Sequence, residues 1–369
     1  MNVIKLLLSF LMLGLGVLCV FPAPTYYLWF AALLVTELGV YFILACLLIL
    51  GFNLFVGDRH LVSTVTSVIA LILVCIPIIQ AYIVIHRLDS ELISKFKPTN
   101  QNFSLNVGKL FQLKMDKNPP HTQIAYLNGL KANYYQAKAT GLRPCVIVIH
   151  GGSWSSGDNN QVPELNGILA DAGYQVFAIN YRLAPQHHFP APVDDVNATI
   201  SYIKSHSNDF QVDTNKIILL GRSAGGQIAL TTAYASVNHN IAAVVAYYSP
   251  TDMEWDYQFP TSKWVMDSRK IMENYFGGTI QQVKQNYLAG SPILQVNKVT
   301  PPTLFIHGKN DILVAHQNSV RLQKVLDANQ VNNYILSLPW ATHGCDFNVN
   351  GPSGQISSQT VLYFLGRVI

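Results

Sequence analysis

The sequence predicts an α/β chain: a mainly parallel sheet flanked by helices, preceded by a transmembrane helical region. Three observations carry this expectation. Long apolar stretches, nearly free of charge, fill the first ninety residues. Beyond about residue 100, short apolar runs that suit strands buried on both faces alternate with helical segments. Between two of these, Ile218-Leu-Leu-Gly-Arg-Ser-Ala-Gly-Gly226 sets one serine among glycines where a strand gives way to a helix.

Half of the 369 residues are hydrophobic and only 12% are charged, whereas about a quarter are charged in typical soluble domains. The imbalance is local. From Met1 to His86 the only Asp, Glu, Lys or Arg residues are Lys5, Glu37, Asp58 and Arg59. Val3–Phe21, Tyr26–Val56 and Leu61–Ile85 each reach the roughly 20 residues that cross a hydrocarbon core of about 30 Å. Pro22-Ala-Pro24 and Gly57-Asp-Arg-His60 separate them. Residues 1–90 are therefore expected to hold about three transmembrane helices, giving a multi-pass membrane protein with the bilayer as a partner. A rival reading makes residues 1–24 a cleaved signal peptide, which leaves two spans. The flanking positive charges divide too evenly to orient the spans. Leu38–Val56 can span alone, which puts Glu37 at the interface; a functional carboxylate within the membrane is the alternative. The net charge of +4 is modest, arises after Ser90 and forms no basic cluster, so nucleic acid is not an expected partner. The five cysteines make no disulfide framework and no zinc spacing, and no metal site is expected.

Residues 91–101 read as a polar connector and residues 102–369 as the second domain. Phe103–Met115 and Gln123–Ala139 read as early, partly exposed strands joined at Asn118-Pro-Pro120. Strand runs follow at 145–149, 175–179, 216–220, 241–246, 303–306 and 334–338. Helical segments lie near 161–172, 192–206, 224–236, 315–329 and 356–367. Alternation of this kind predicts a parallel sheet covered on both faces, with functional loops at the carboxyl ends of the strands. Residues 252–292 are long for a connection and rich in aromatics, as expected of a lid or cap insertion.

In this context Gly221-Arg-Ser-Ala-Gly225 presents Ser223 on a sharp strand-to-helix turn, its hydroxyl exposed. A serine hydroxyl becomes a useful nucleophile when a base takes its proton and a carboxylate orients the base. The order expected in such a sheet is serine, acid, histidine. Asp311 ends the strand run Thr303-Leu-Phe-Ile306 and its turn, and His343 follows the run ending at Leu338. Asp252, in Ser249-Pro-Thr-Asp252, is the rival acid. Acyl transfer also needs N–H donors for an oxyanion. Gly151, Gly152 or Ser153, in the loop His150-Gly-Gly-Ser-Trp154, would supply some of them and Ala224 another. Trp154, Trp264 and Trp340 are candidate substrate-binding residues, and Phe347 also flanks His343. Adjacent His187 and His188 cannot both face one ion from a regular element.

Residues 100–369 resemble α/β-hydrolases of the esterase/lipase group that includes hormone-sensitive lipase and bacterial carboxylesterases. Tyr181-Arg-Leu-Ala-Pro185, Phe189-Pro-Ala-Pro-Val-Asp-Asp-Val196, Gly221-Arg-Ser-Ala-Gly-Gly226 and His307-Gly-Lys-Asn-Asp311 carry the resemblance. In His150-Gly-Gly-Ser-Trp154 the third glycine of the hormone-sensitive-lipase pattern is Ser153. That form is similar to the feruloyl-esterase-like, kynurenine-formamidase-like and prenylcysteine-methylesterase-like branch. The resemblance implies a carboxylic ester hydrolase (esterase or lipase) that works through a Ser223–His343–Asp311 triad and an acyl-enzyme. It implies a small-molecule or lipid-like ester substrate and no cofactor, with Asp194 and Asp195 serving the fold. The alternatives are an amidase or acyltransferase using the same residues, or a non-catalytic membrane scaffold or sensor.

Overall fold

The computed structural model describes residues 1–96, 103–113, 119–127, 129–235 and 240–369. Four helices come first: α1 (Asn2–Val17), α2 (Tyr26–Glu37), α3 (Gly39–Phe55) and α4 (Leu61–Lys95). Tyr26–Val56, expected as one span, is instead broken at Leu38, where α2 and α3 meet at 88°. Glu37 helps explain the break. It is buried, and its carboxylate accepts the Ser353 N–H (3.0 Å) and the Ser353 hydroxyl (2.6 Å) of the second domain. The helix breaks where the one acidic side chain of Tyr26–Val56 is held, so Glu37 is a joint between the two units. α1, with 16 residues, is short for a span. Among the described residues, α4 is the one helix long and apolar enough by length and composition to cross a membrane, with the bent α2–α3 pair as a second candidate. Lys5 is buried in the helical unit. Its ammonium donates to the carbonyl oxygens of Val56 (2.6 Å), Asp58 (3.0 Å) and Asn53 (3.3 Å), so the charge meets acceptors at the open end of α3.

α4 has 35 residues, about 52 Å at 1.5 Å per residue, well beyond a hydrocarbon core of about 30 Å. The excess has a purpose. Ala81, Ile85, Leu88 and Leu92 lie on one helical face and are buried with Val146, Val148 and Val176 of the sheet. The second half of α4 is therefore part of the second domain's core. Residues 91–95 of the expected connector are its last turn, and residues 97–101 lie outside the described residues.

The second domain also departs from expectation at its start. Val107–Leu110 form the short helix α5 inside the first expected strand, and residues 114–118 lie outside the described residues. The second expected strand is two, β1 (Thr122–Leu127) and β2 (Leu130–Tyr135), paired antiparallel. The dipeptide Asn128-Gly129 between apolar runs is a hairpin signal that the sequence reading passed over. The elements that follow match the expected alternation. They are β3 (Arg143–Ile149), α6 (Pro163–Asp171), β4 (Gln175–Ile179), α7 (Ala191–Ser205), α8 (Ser207–Phe210), β5 (Val212–Arg222), α9 (Ala224–Ala235) and β6 (Ile241–Tyr247). Then come α10 (Met253–Gln258), α11 (Ser268–Phe276), α12 (Lys284–Ala289), β7 (Thr303–Gly308), α13 (Gln317–Ala328), β8 (Asn333–Leu338) and α14 (Pro352–Val368).

The strand order is β1-β2-β4-β3-β5-β6-β7-β8, with β3 to β8 all parallel. Side chains alternate between two buried clusters, Val146 and Val148 on one face and Cys145, Ile147 and Ile149 on the other. Burial on both faces is what the continuous apolar runs require. The carboxyl ends of β3, β5, β7 and β8 consequently share one edge of the sheet, and the loops carrying residues 150–154, 223, 311 and 343 follow them.

Candidate active site

Ser223 directly follows β5 with φ 53°, in the left-handed region that costs a serine energy and signals a constrained turn. Its N–H donates to the Tyr247 carbonyl of β6 (2.9 Å), and its own carbonyl accepts the Gly226 N–H (2.9 Å). The flanking glycines are sterically required. A Cβ on Gly221 would strike the Gly225 carbonyl, and one on Gly225 would strike the carbonyl oxygens of Ile149 and His150. The elbow is thus wedged between the start of α9 and the loop after β3.

The structure brings Ser223, His343 and Asp311 together. His343 Nε2 lies 3.0 Å from Ser223 Oγ, and His343 Nδ1 lies 2.8 Å from Asp311 Oδ2. With Nδ1–H donating to the carboxylate, Nε2 is left as the acceptor for the serine proton. Asp311 Oδ1 accepts the N–H groups of Leu313 (2.9 Å) and Val314 (3.0 Å). His307 Nε2 lies 3.3 Å from Asp311 Oδ2. Burial alone would raise the Asp311 pKa; the charge of His343 and the hydrogen bonds from His307 and His343 outweigh it and hold the carboxyl well below the usual range. The rival acid is engaged elsewhere. Asp252 caps α10 by accepting the Trp255 N–H (3.1 Å) and pairs with Arg321 (2.6 Å).

The oxyanion candidates divide. The Gly151 N–H donates to Gln161 Oε1 at 2.7 Å and is not free for a substrate, a correction to the expected donor set. Gly151 serves by its lack of a side chain, since a Cβ there would come within 3.2 Å of Ser223 Cβ. Gly152 (φ 119°) and Ser153 (φ 54°) turn the loop over the serine, and Ala224 opens α9, where helical N–H groups have no intrahelical partner. Among the described residues no hydrogen bond occupies the N–H of Gly152, Ser153 or Ala224.

Two cavities meet at Ser223. One, of about 180 Å³, is walled by Trp154, Ala224, Met253, Phe259, Ile271 and Met272, largely from the 252–292 insertion. The other, of about 260 Å³, holds His343, Tyr248, Phe347, Met266, Trp29 and Leu33. The expected substrate-binding tryptophans fare differently. Trp154 lines the first cavity, yet it is only 5% exposed and is fixed by stacking on Tyr275 and by donating to Gln227 Oε1 (2.9 Å). Trp264 is 80% exposed and lines neither cavity, because its loop points the ring to the surface. Trp340 also lines neither. It is buried in the core, its indole N–H satisfied by Ser353 Oγ (3.0 Å).

Residues 133–326, just over half of the chain, match the BD-FAE family. The chain belongs to the BD-FAE family. Relatives are a probable carboxylic ester hydrolase, LipM, and an esterase, LipC, both of Mycobacterium tuberculosis. LipM is 27% identical over 60% of this chain and 56% of its own length. LipC is 27% identical over 61% of this chain and 58% of its own length. The chain thus spans less than three-fifths of either. Among solved structures, the Francisella virulence factor BioJ superposes with a TM-score of 0.59 at 20% identity, covering 69% of this chain and 86% of BioJ. A bacterial heroin esterase does so with 0.58 at 21%, covering 67% and 82%. The second domain has the α/β-hydrolase fold.

In this BD-FAE chain several residues at the site have roles that the sequence did not assign. His307 braces the acid loop, accepting the Ser319 hydroxyl (2.8 Å) at Nδ1 while Nε2 also meets the Val314 carbonyl (3.0 Å); its place four residues before Asp311 was the available signal. Arg222, buried beside the nucleophile, pairs with Asp346 (2.6 Å), whose other oxygen accepts the Tyr248 hydroxyl (2.5 Å). The Tyr248 ring packs 4.4 Å from the ring of His343. Trp29, from α2, donates its indole N–H to the His343 carbonyl (3.1 Å). No local pattern announces that contact. Asp195 holds Arg182 with both oxygens, as the fold-bearing role implied.

Proposed function

We propose that this chain is a membrane-attached serine hydrolase that cleaves carboxylic esters, held in the bilayer through α4 and the bent α2–α3 pair. The observation that carries the reading is the Ser223–His343–Asp311 hydrogen-bond chain at the junction of two cavities. The BD-FAE match and the carboxylic ester hydrolases among the relatives support the same reading. In the first step Ser223 Oγ attacks the acyl carbon while its proton passes to His343 Nε2. Asp311 stabilises the imidazolium that forms and keeps the ring oriented. N–H groups of Gly152, Ser153 and Ala224 receive the developing oxyanion. Collapse breaks the bond to the alcohol oxygen, which takes the proton from His343 Nε2. Water then attacks the acyl-Ser223 ester with His343 as its base, and the carboxylic acid leaves as Ser223 regains its proton.

His343 must reach the leaving oxygen, so the cavity that contains His343 is the alcohol side and the cavity under the insertion is the acyl side. The test is hydrolysis of p-nitrophenyl esters from acetate to palmitate by the detergent-solubilised full chain, with Ser223→Ala alongside. Truncation at residue 95 would strip Ala81, Ile85, Leu88 and Leu92 from the core and is avoided. The variant is expected to lose about 10⁴-fold or more in kcat. Equal rates in both proteins would refute the proposal.

A further inference from the structure

α2 was expected to serve only as part of a membrane span. Its position says more. Trp29 and Leu33, one helical turn apart, line the alcohol-side cavity together with Ser223 and His343. Trp29 holds the histidine loop through its hydrogen bond to the His343 carbonyl. Leu33 Cδ2 lies 3.9 Å from where a Cβ on Gly344 would be. Ile312, next to Asp311, packs on the apolar core of the helical unit. Both the base loop and the acid loop thus rest on the segment that sequence assigns to the membrane.

The outer face of α2 is equally informative. Tyr26, Tyr27 and Phe30 are 48%, 85% and 54% exposed. The Tyr26 N–H donates to the carbonyl of Trp264 (3.2 Å), whose ring is 80% exposed. These aromatics gather where α2 and the 252–292 insertion meet, beside residues that line the two cavities. Exposed apolar rings grouped beside a site mark contact with another phase or molecule. Aromatic rings that are apolar over most of their surface are enriched where a bilayer meets water. The charge of the cavities narrows the ligand further. Arg222 is the one Lys or Arg among their lining residues, and Asp346 already meets its charge.

We infer that α2 is a wall of the active site, and that the substrate is a neutral, bilayer-resident lipid ester entering past the exposed rings of α2 and Trp264, its alcohol portion lying against Trp29 and Leu33. The inference rests on the ester-hydrolase reading and deepens it. The same α2 collar would admit lipid laterally, so that the ester need not leave the membrane to reach Ser223.

The test uses the full chain in phosphatidylcholine vesicles with two esters, dissolved p-nitrophenyl butyrate and vesicle-embedded dioleoylglycerol. Leu33→Trp fills the alcohol-side cavity and Leu33→Ala enlarges it. Tyr27→Ser combined with Trp264→Ser removes the two most exposed rings of the collar without touching either cavity wall. Labelling of Ser223 by a small fluorophosphonate reports an assembled site in each variant. The expected result is hydrolysis of both esters by the parent chain. Leu33→Trp should lower kcat/KM for dioleoylglycerol by about tenfold more than for p-nitrophenyl butyrate, through KM. The collar variant should shift the same ratio in the same direction, whereas Leu33→Ala should not depress it. Equal losses on both esters, or an unchanged ratio in Leu33→Trp, would overturn the wall. An unchanged ratio in the collar variant would overturn lateral entry and leave the collar to a protein partner. Butyrate hydrolysis without any cleavage of dioleoylglycerol overturns the lipid ester while the hydrolase reading stands. Failure on both esters sinks the two together.

Discussion

Replacing Gly221 with alanine tests whether the glycine spacing of the elbow sets the reactive geometry. The added Cβ would lie 2.5 Å from the Gly225 carbonyl carbon and 2.6 Å from Gly226 Cα, and would strike the Gly225 oxygen as well. Ordinary contact begins at 3.4 Å, so clearing the Gly225 oxygen, the closest of the three, requires the start of α9 to retreat by about 1.2 Å. All the obstructing atoms are backbone, and no rotamer change can absorb the overlap. Ser223 immediately precedes this turn and moves with it, whereas Asp311 fixes the His343 ring from its far side at 2.8 Å. A contact of 3.0 Å between Ser223 Oγ and His343 Nε2 then opens to about 4 Å or more, outside hydrogen-bond range. Misplacement of this order costs about 10²-fold in rate, or ~2.7 kcal/mol of barrier, and overpacking costs ~1–3 kcal/mol of stability. The assay is kcat/KM on p-nitrophenyl butyrate together with Tm, with Gly366→Ala as the counterpart. Gly366 lies in α14 with nothing within 4 Å of an added Cβ, so alanine there should be neutral or stabilise by up to ~1 kcal/mol. A Gly221→Ala protein with parental kcat/KM and Tm would refute the reasoning.

Asp346→Asn leaves the Arg222 guanidinium buried without its counter-charge, and breaking a buried pair in this way costs ~3–5 kcal/mol. A urea midpoint within error of the parent would show that the 2.6 Å pair carries no such weight. Burial pushes the Asp256 carboxyl up to about 7, against the hydrogen bond from Asn318 and the charge of Arg321, with Asp252 adding to the rise. A raised carboxyl pKa means that the folded protein keeps a proton the unfolded chain releases, so stability should decline as pH rises from about 4 to about 7. Asp256→Asn should abolish that decline in a series of Tm measurements. The depressed Asp311 pKa acts oppositely, contributing stability above the ordinary carboxylate range that is lost as pH falls through and below it.

The parallel strands β3 to β8 are legible because burial on both faces demands continuous apolar runs, and the turn residues that end those runs locate Ser223, Asp311 and His343. The spacing Gly221-x-Ser-x-Gly225 is legible for a harder reason: the structure has no room for a Cβ at either glycine. The β1–β2 hairpin was missed at a signal that is present, Asn128-Gly129, whereas Trp340 was misplaced because proximity to His343 in sequence does not tell which way a ring faces. Gly151 was assigned a donor role from its position in the loop, with nothing in the sequence to show that Gln161 takes its N–H. The helical unit is the deepest case. Hydropathy reports that side chains in Tyr26–Val56 and Leu61–Ile85 avoid water, and lipid and protein satisfy that demand equally well. It therefore cannot separate the half of α4 that covers the sheet from the half available to cross a bilayer, nor reveal that Trp29 meets the His343 carbonyl 314 residues away. A residue that both braces the base loop and lines the cavity beside it couples the position of α2 to the geometry at Ser223. A displacement of α2 is therefore transmitted to the histidine loop that meets the serine.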